Sequence, residues 1–143
     1  MDHLVQREGC QVYLIPHVFS DDNSHCLYVE NDLIVMKELH EKYPETIVIK
    51  DCKSSHELKS IISQMDIFIG ARMHATIASV SCGVATIPYK YSKKFDLYKS
   101  LGYPYVIDGQ NLLTKDAVNE TIMYIENKEE LVSSGFGLLI LKI

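Results

Sequence analysis

The run Asp66-Ile67-Phe68-Ile69-Gly70-Ala71-Arg72-Met73-His74-Ala75 sets a guanidinium and an imidazole where an apolar segment gives way to a helical pattern. Asp66 to Ile69 is short, β-branched and aromatic, as a buried parallel strand should be. Gly70 is expected to turn the chain tightly without a Cβ penalty. The helix that follows aims its unbonded N–H groups and the positive end of its dipole at whatever sits above the strand. Adding Arg72 and His74 there suits a phosphate or carboxylate guest.

The two side chains are two positions apart, so in a regular helix they diverge by about 200°. They converge on one ligand only at the junction, where the first of them is not yet helical. Met73, Ile77, Val80 and Val84 are expected to take the core stripe, and Ala75, Ala78, Ser79 and Cys82 are small enough for close packing. His74 is not needed for that stripe. The plainer alternative is a helix-start histidine bonded to a carbonyl and an arginine paired with an acid, and spacing alone leaves both open.

Other candidates are weaker. His17 follows Pro16 at an expected strand end, where a loop residue and a site contact look alike. Asp21 and Asp22 read as a solvated turn or a helix cap. Lys93 and Lys94 read as a solvated pair on a short helix anchored by Phe95, although their place beside the same sheet edge makes an anion contact plausible. His3, His25, His40 and His56 have only surface positions to recommend them. Neither G-x-G-x-x-G nor a Walker A loop occurs.

The elements that must position these groups alternate. Met1 to Gly9 reads as the last turns of a helix stopped by Gly9, Gln11 to Pro16 as a strand, and Ser20 to His25 as a loop. Helical spacing of Val29, Leu33, Met36, Leu39 or His40 and Tyr43 predicts a helix from about 28 to 42, ended by Pro44. Thr46 to Lys50 is a second strand. Ser54 and Glu57 form a capping box for a helix burying Leu58, Ile61, Ile62 and Met65. Asp66 to Ile69 is the third strand, 72–82 the third helix, stopped by Gly83, and Ala85 to Tyr89 the fourth strand. A short helix around 93–100, a strand at Tyr105 to Ile107 and a helix capped by Thr114, with stripe Val118, Ile122 and Ile125, complete the pattern.

Strands and helices joined by short connections mean parallel pairing and right-handed crossovers. The expected fold is α/β, a doubly wound, mostly parallel sheet flanked by helices. Ligands of such sheets bind beyond the carboxyl ends of the strands. Pro16-His17, Gly70 to His74 and Tyr89 to Lys94 should emerge there, and all three segments carry cations.

With 143 residues, 47% of them hydrophobic, one domain with a sizeable core is expected. The net charge of −5 argues against a nucleic-acid or membrane-surface partner. The four cysteines, Cys10, Cys26, Cys52 and Cys82, are scattered without C-x-x-C spacing. They read as reduced thiols of a cytoplasmic protein, not as a zinc site or disulfide framework. No signal peptide and no run of the roughly 20 apolar residues a spanning helix needs is evident. The chain opens in mid-helix, without a preceding strand, and closes on an atypical apolar tail, 131–143. Both ends suggest a fragment of a longer protein, or apolar surfaces that cover one another in a homodimer.

The residues Asp66 to Ala78, Cys82-Gly83-Val84-Ala85-Thr86-Ile87-Pro88 and Tyr91-Ser92-Lys93-Lys94-Phe95 together resemble the polysaccharide pyruvyl transferase family, as do Val12 to Phe19 and Glu57-Leu58-Lys59. The likeness covers most of 10–127, with Ala85 standing where the family usually has proline. It implies the Rossmann-like half of a GT-B-type fold, and an enzyme of exopolysaccharide biosynthesis that moves pyruvyl from phosphoenolpyruvate onto two hydroxyls of a sugar or glycolipid as a ketal. It implies no cofactor and no metal. By this resemblance His74 is the catalytic general acid, a role suited to a side chain that ordinarily titrates near neutrality, and Arg72 holds the donor's charged groups. Lys94 takes a supporting anion contact, and His17, Gly70 and Met73 complete the expected substrate-binding set. The chain resembles only the C-terminal half of such a protein, without its first strand, so the parent is expected to be the transferase and this chain alone to turn over weakly or not at all.

Two other readings fit the same expected fold. One is a nucleotide-sugar glycosyltransferase or epimerase, for which Glu57 is the only candidate to hold ribose hydroxyls and is better explained as a cap. The other is a non-catalytic domain that dimerises through an exposed helix face and the apolar tail.

Overall fold

Every strand pairing among the described residues is parallel. The computed structural model describes residues 1–17, 31–50 and 54–139, and they fall into two compact units, Met1–Lys53 and Ser54–Ile143. The expected loop Ser20 to His25 with Asp21 and Asp22, the start of the helix expected from about 28, Cys26, Cys52 and the end of the tail lie outside the described residues.

In the first unit, helix α1 (Asp2–Val5) and strand β1 (Tyr13–Leu14) precede α2 (Asp32–Lys42) and β2 (Ile47–Val48). Strands β1 and β2 align Tyr13 with Ile47 and Leu14 with Val48. Asn31 caps α2, its Oδ1 accepting the Leu33 N–H at 3.1 Å, which satisfies one of the orphan donors every helix start carries. Asp32, in the first turn, accepts the His17 N–H at 3.1 Å, so α2 is tied to the segment leaving β1. At its far end Thr46, 3% exposed, bonds His40 Nδ1 at 3.1 Å and the Tyr43 carbonyl at 2.8 Å. His40 thus closes the connection into β2 instead of idling at the surface.

The second unit carries α3 (Ser55–Ile62), β3 (Ile67–Gly70), α4 (Met73–Ser81), β4 (Ala85–Lys90), a 3-10 turn (Lys93–Phe95), α5 (Asp96–Ser100), β5 (Ile107–Asp108), α6 (Thr114–Glu126) and α7 (Lys128–Leu139). Its strands lie in the order β3-β4-β5, with Gly70 opposite Pro88 and Lys90 opposite Asp108. The capping box forms on its Ser54 side, Oγ accepting the Glu57 N–H at 3.2 Å, and Leu58 and Ile62 are buried beneath it. Helix α4 is the crossover from β3 to β4 and packs on both strands, while α7 packs on β4 and α4. Parallel strands joined by packed helices make the chain an α/β, Rossmann-like protein. No described helix is long and apolar enough to cross a membrane.

Gly83 and Gly102 end α4 and α5 in the same way. Each has a positive φ, 75° and 72°. After α4 the Gly83 N–H reaches the Val80 carbonyl at 3.0 Å and the Val84 N–H reaches Ser79 at 3.2 Å. After α5 the Gly102 N–H reaches Lys99 and the Tyr103 N–H reaches Tyr98. Both are Schellman caps, which need a residue that accepts left-handed backbone. The second folds Tyr103 back beside Tyr98, with ring centroids 5.6 Å apart.

Several expectations shift in register. Val80 and Val84 are buried as expected, but Ile77 is 38% exposed, and α4 buries Thr76 and Ser79 beside Ala75. Two of these are hydroxyl residues, admitted because Ser79 Oγ meets Thr86 Oγ1 at 2.8 Å and Thr76 Oγ1 donates to the Met73 carbonyl at 2.9 Å. Thr114 is not a cap: Leu113 holds that position and makes no capping bond, because the backbone is already helical at Thr114. Val118 is 48% exposed, since α6 turns its Ala117, Thr121 and Ile125 side inward, where the Thr121 hydroxyl bonds that of Tyr89. The start of the apolar tail is helical, and Leu131 is fully buried.

Candidate functional site

The carboxyl edge of the β3-β4-β5 sheet is built from three connections, after Gly70, Lys90 and Asp108. The first carries the candidate chemistry. Arg72 occupies the cap position of α4 in extended backbone (φ −91°, ψ 115°), with no side-chain capping bond. Helical geometry leaves the N–H groups of Met73, His74 and Ala75 without intrahelical acceptors. Helices α2 and α3 begin on Asn31 and Ser54, whose oxygens fill this need; α4 begins on a cation. An arginine there adds to the positive end of the dipole instead of neutralising it. A cation at the start of a helix breaks a local preference, which is typical of functional positions.

Arg72 and Met73 are half-buried, and His74, in the first turn, is exposed. Met73 rests on the cluster of Val80, Phe95, Tyr98 and Tyr103. Gly70 is required for a different reason from the one expected. Its φ is not positive; instead a Cβ would lie 2.7 Å from a ring carbon of Phe68 and 3.2 Å from the Thr76 methyl. The glycine lets β3 and the first turn of α4 approach closely.

The second connection holds the lysines. Lys90 Nζ meets Asp96 Oδ1 at 2.6 Å, and this bond, with the further attraction of Asp108, holds its pKa above the ordinary lysine value. Lys90 is thereby committed to bracing the 3-10 turn. Lys93 and Lys94 stand exposed on that turn, and Phe95, 1% exposed, anchors it in the core. Ser92 Oγ is buried without a hydrogen-bond partner. The third connection is organised by Asp108, which accepts from Asn111 Nδ2 at 2.7 Å and from the N–H groups of Gln110 and Asn111 at 3.1 and 3.2 Å. These bonds pull its carboxyl below the ordinary aspartate pKa.

Gly70, Arg72, Met73 and His74 thus share one junction, and Lys94 lies on the next connection along the same edge. His17 belongs to the first unit, half-buried, three residues beyond the end of β1. Reading the sequence did not pick out the support beneath the junction, Tyr98 and Thr76, nor the brace from Asp108 and Gln110. An Asp-Gly pair after an expected strand is a turn signal that could have located the latter. Among the described residues no group of three or more His, Cys, Asp or Glu could hold a metal ion.

The family model for polysaccharide pyruvyl transferase matches residues 2–93. That span contains Gly70, Arg72, Met73, His74 and His17 and ends one residue before Lys94. No curated protein and no solved structure matches the chain.

Proposed function

Because this chain belongs to the polysaccharide pyruvyl transferase family, we propose that it is the donor-side domain of an enzyme that transfers pyruvyl from phosphoenolpyruvate to two sugar hydroxyls. The observation that carries this reading is the cationic start of α4 at the sheet's carboxyl edge, within the matched span.

Phosphoenolpyruvate brings two anionic groups, a phosphate and a carboxylate. Arg72 and the α4 N–H groups neutralise these oxygens, and Lys94 adds a further cation. His74 gives its proton to the enol methylene, leaving an oxocarbenium-like carbon. A sugar hydroxyl adds to that carbon and its proton returns to the His74 imidazole. Phosphate then departs with the electrons of its bond to carbon, and a second hydroxyl closes the ketal as its proton passes to the departing phosphate. His74 is exposed in the first turn, where it can meet a substrate from above the sheet. Met73 and Gly70 complete the proposed substrate-binding set around the start of α4, Gly70 by keeping the strand and helix close.

Phosphate release from phosphoenolpyruvate in the presence of a sugar acceptor tests the reading. It should depend on the acceptor and fall sharply in His74→Ala. Release that survives the substitution removes the histidine's role.

A further inference from the structure

We propose that Tyr91 is a stacking platform for a pyranose ring, held in place by Gln110. The nature of the guest rests on the pyruvyl-transfer reading; the platform itself rests on geometry. Tyr91 follows the last residue of β4, so it sits at the same carboxyl edge as the start of α4. Its residue surface is 52% exposed, yet it is fastened on two sides. Gln110 Nε2 donates to the Tyr91 carbonyl at 2.8 Å. Its ring meets Phe95 with centroids 5.5 Å apart and planes inclined by 61°.

Both fasteners are themselves anchored. Phe95 is 1% exposed and continues into the core through Tyr98, with ring centroids 6.1 Å apart. Gln110 is set by the turn that Asp108 organises, and that turn presses on β4: a Cβ at Gly109 would stand 3.1 Å from the Lys90 carbonyl. A tyrosine with its backbone clamped, its ring resting on Phe95 and half its residue surface open loses little freedom on binding. Its π-face carries partial negative charge, which suits the polarised C–H face of a pyranose. The exposed Lys93 and Lys94 follow it on the chain, where they can meet a charged donor beside the sugar. The platform supplies the acceptor contact that the start of α4, built for anions, does not.

Saturation-transfer NMR on the whole chain, with the methyl glycosides of glucose, galactose and mannose as probes and no phosphoenolpyruvate present, tests the platform. Saturation should reach the ring C–H protons of at least one glycoside in the wild type and in Tyr91→Phe. It should fall about tenfold in Tyr91→Ala and Tyr91→Leu, because stacking needs the ring and not the hydroxyl. An unchanged signal in Tyr91→Ala, a lost signal in Tyr91→Phe, no transfer to the wild type, or preferential transfer to added uridine each overturns it. The phosphorus resonance of phosphoenolpyruvate, followed separately, reports the donor site. Donor binding without sugar transfer overturns the platform alone, and sugar transfer without donor binding overturns the donor reading alone.

Discussion

The Tyr98 hydroxyl donates to Thr76 Oγ1 at 2.7 Å, and Thr76 in turn donates to the Met73 carbonyl at 2.9 Å. This relay joins α5 to the first turn of α4, the turn that bears His74. Tyr98 is 2% exposed and Thr76 fully buried, so neither hydroxyl has ready recourse to water. The position of the candidate site therefore depends on a tyrosine that lies 22 residues from its partner and touches no expected ligand.

Removing the donor should register as stability. Tyr98→Phe is expected to cost about 1–2 kcal/mol, the usual result of deleting one partner of a buried neutral hydrogen bond. Thr76→Val should cost a similar amount. The double variant should cost less than the sum, since the two share one bond. Urea denaturation of the three proteins measures this, and strict additivity would show that the relay carries no coupling energy.

Alkaline pH should loosen the same region. Burial raises the pKa of Tyr98 and of Tyr103 above the ordinary 10.0. The unfolded chain ionises these phenols near that ordinary value, while the folded chain resists. Their contribution is therefore complete below pH 10.0 and drains as pH rises above it. The urea midpoint should hold level up to pH 10.0 and fall as pH rises beyond it, less steeply in Tyr103→Phe. A midpoint that stays level there too contradicts the assignment.

Asp108 should behave in the opposite sense. The Asn111 amide, followed by the backbone N–H groups of Gln110 and Asn111 and the Lys90 charge, lowers its pKa below 3.8. What it contributes is present above that ordinary value and is lost as pH falls through the lower folded one. Carbon-detected NMR titration should find its carboxyl among the last to protonate, and Asn111→Ala should move it back upward. An unmoved titration in that variant would remove Asn111 as the leading cause.

The two residues of the junction should separate kinetically. Arg72→Ala is expected to weaken phosphoenolpyruvate binding by roughly 10- to 100-fold, as loss of a charged hydrogen bond does. His74→Ala should leave binding largely intact and lower turnover by roughly 10²–10⁴-fold, the usual share of a general acid. Titration calorimetry followed by phosphate-release kinetics distinguishes the two, and equal effects on both quantities would argue against divided roles.

Much of this was legible in the residues themselves. The alternation of β-branched runs with helical stripes announced the parallel α/β fold. Ser54 announced a helix start and Gly83 a helix stop, because capping and left-handed backbone are decided within a few residues. The change from strand β3 to helix α4 was legible for the same reason.

Burial and pairing were decided only in three dimensions. Helix α4 takes Thr76 and Ser79 inward and leaves Ile77 half out, because Tyr98 and Thr86, distant in sequence, satisfy those hydroxyls. Helix α6 turns Thr121 inward toward Tyr89 and leaves Val118 exposed. Lys90 is committed to Asp96 while Lys94 stands open, and Gly70 is demanded by a phenylalanine ring and a threonine methyl instead of by a turn. Hydrophobic periodicity cannot foresee such choices: the cost of burying a polar group vanishes only when a partner arrives from elsewhere, and tertiary packing brings that partner.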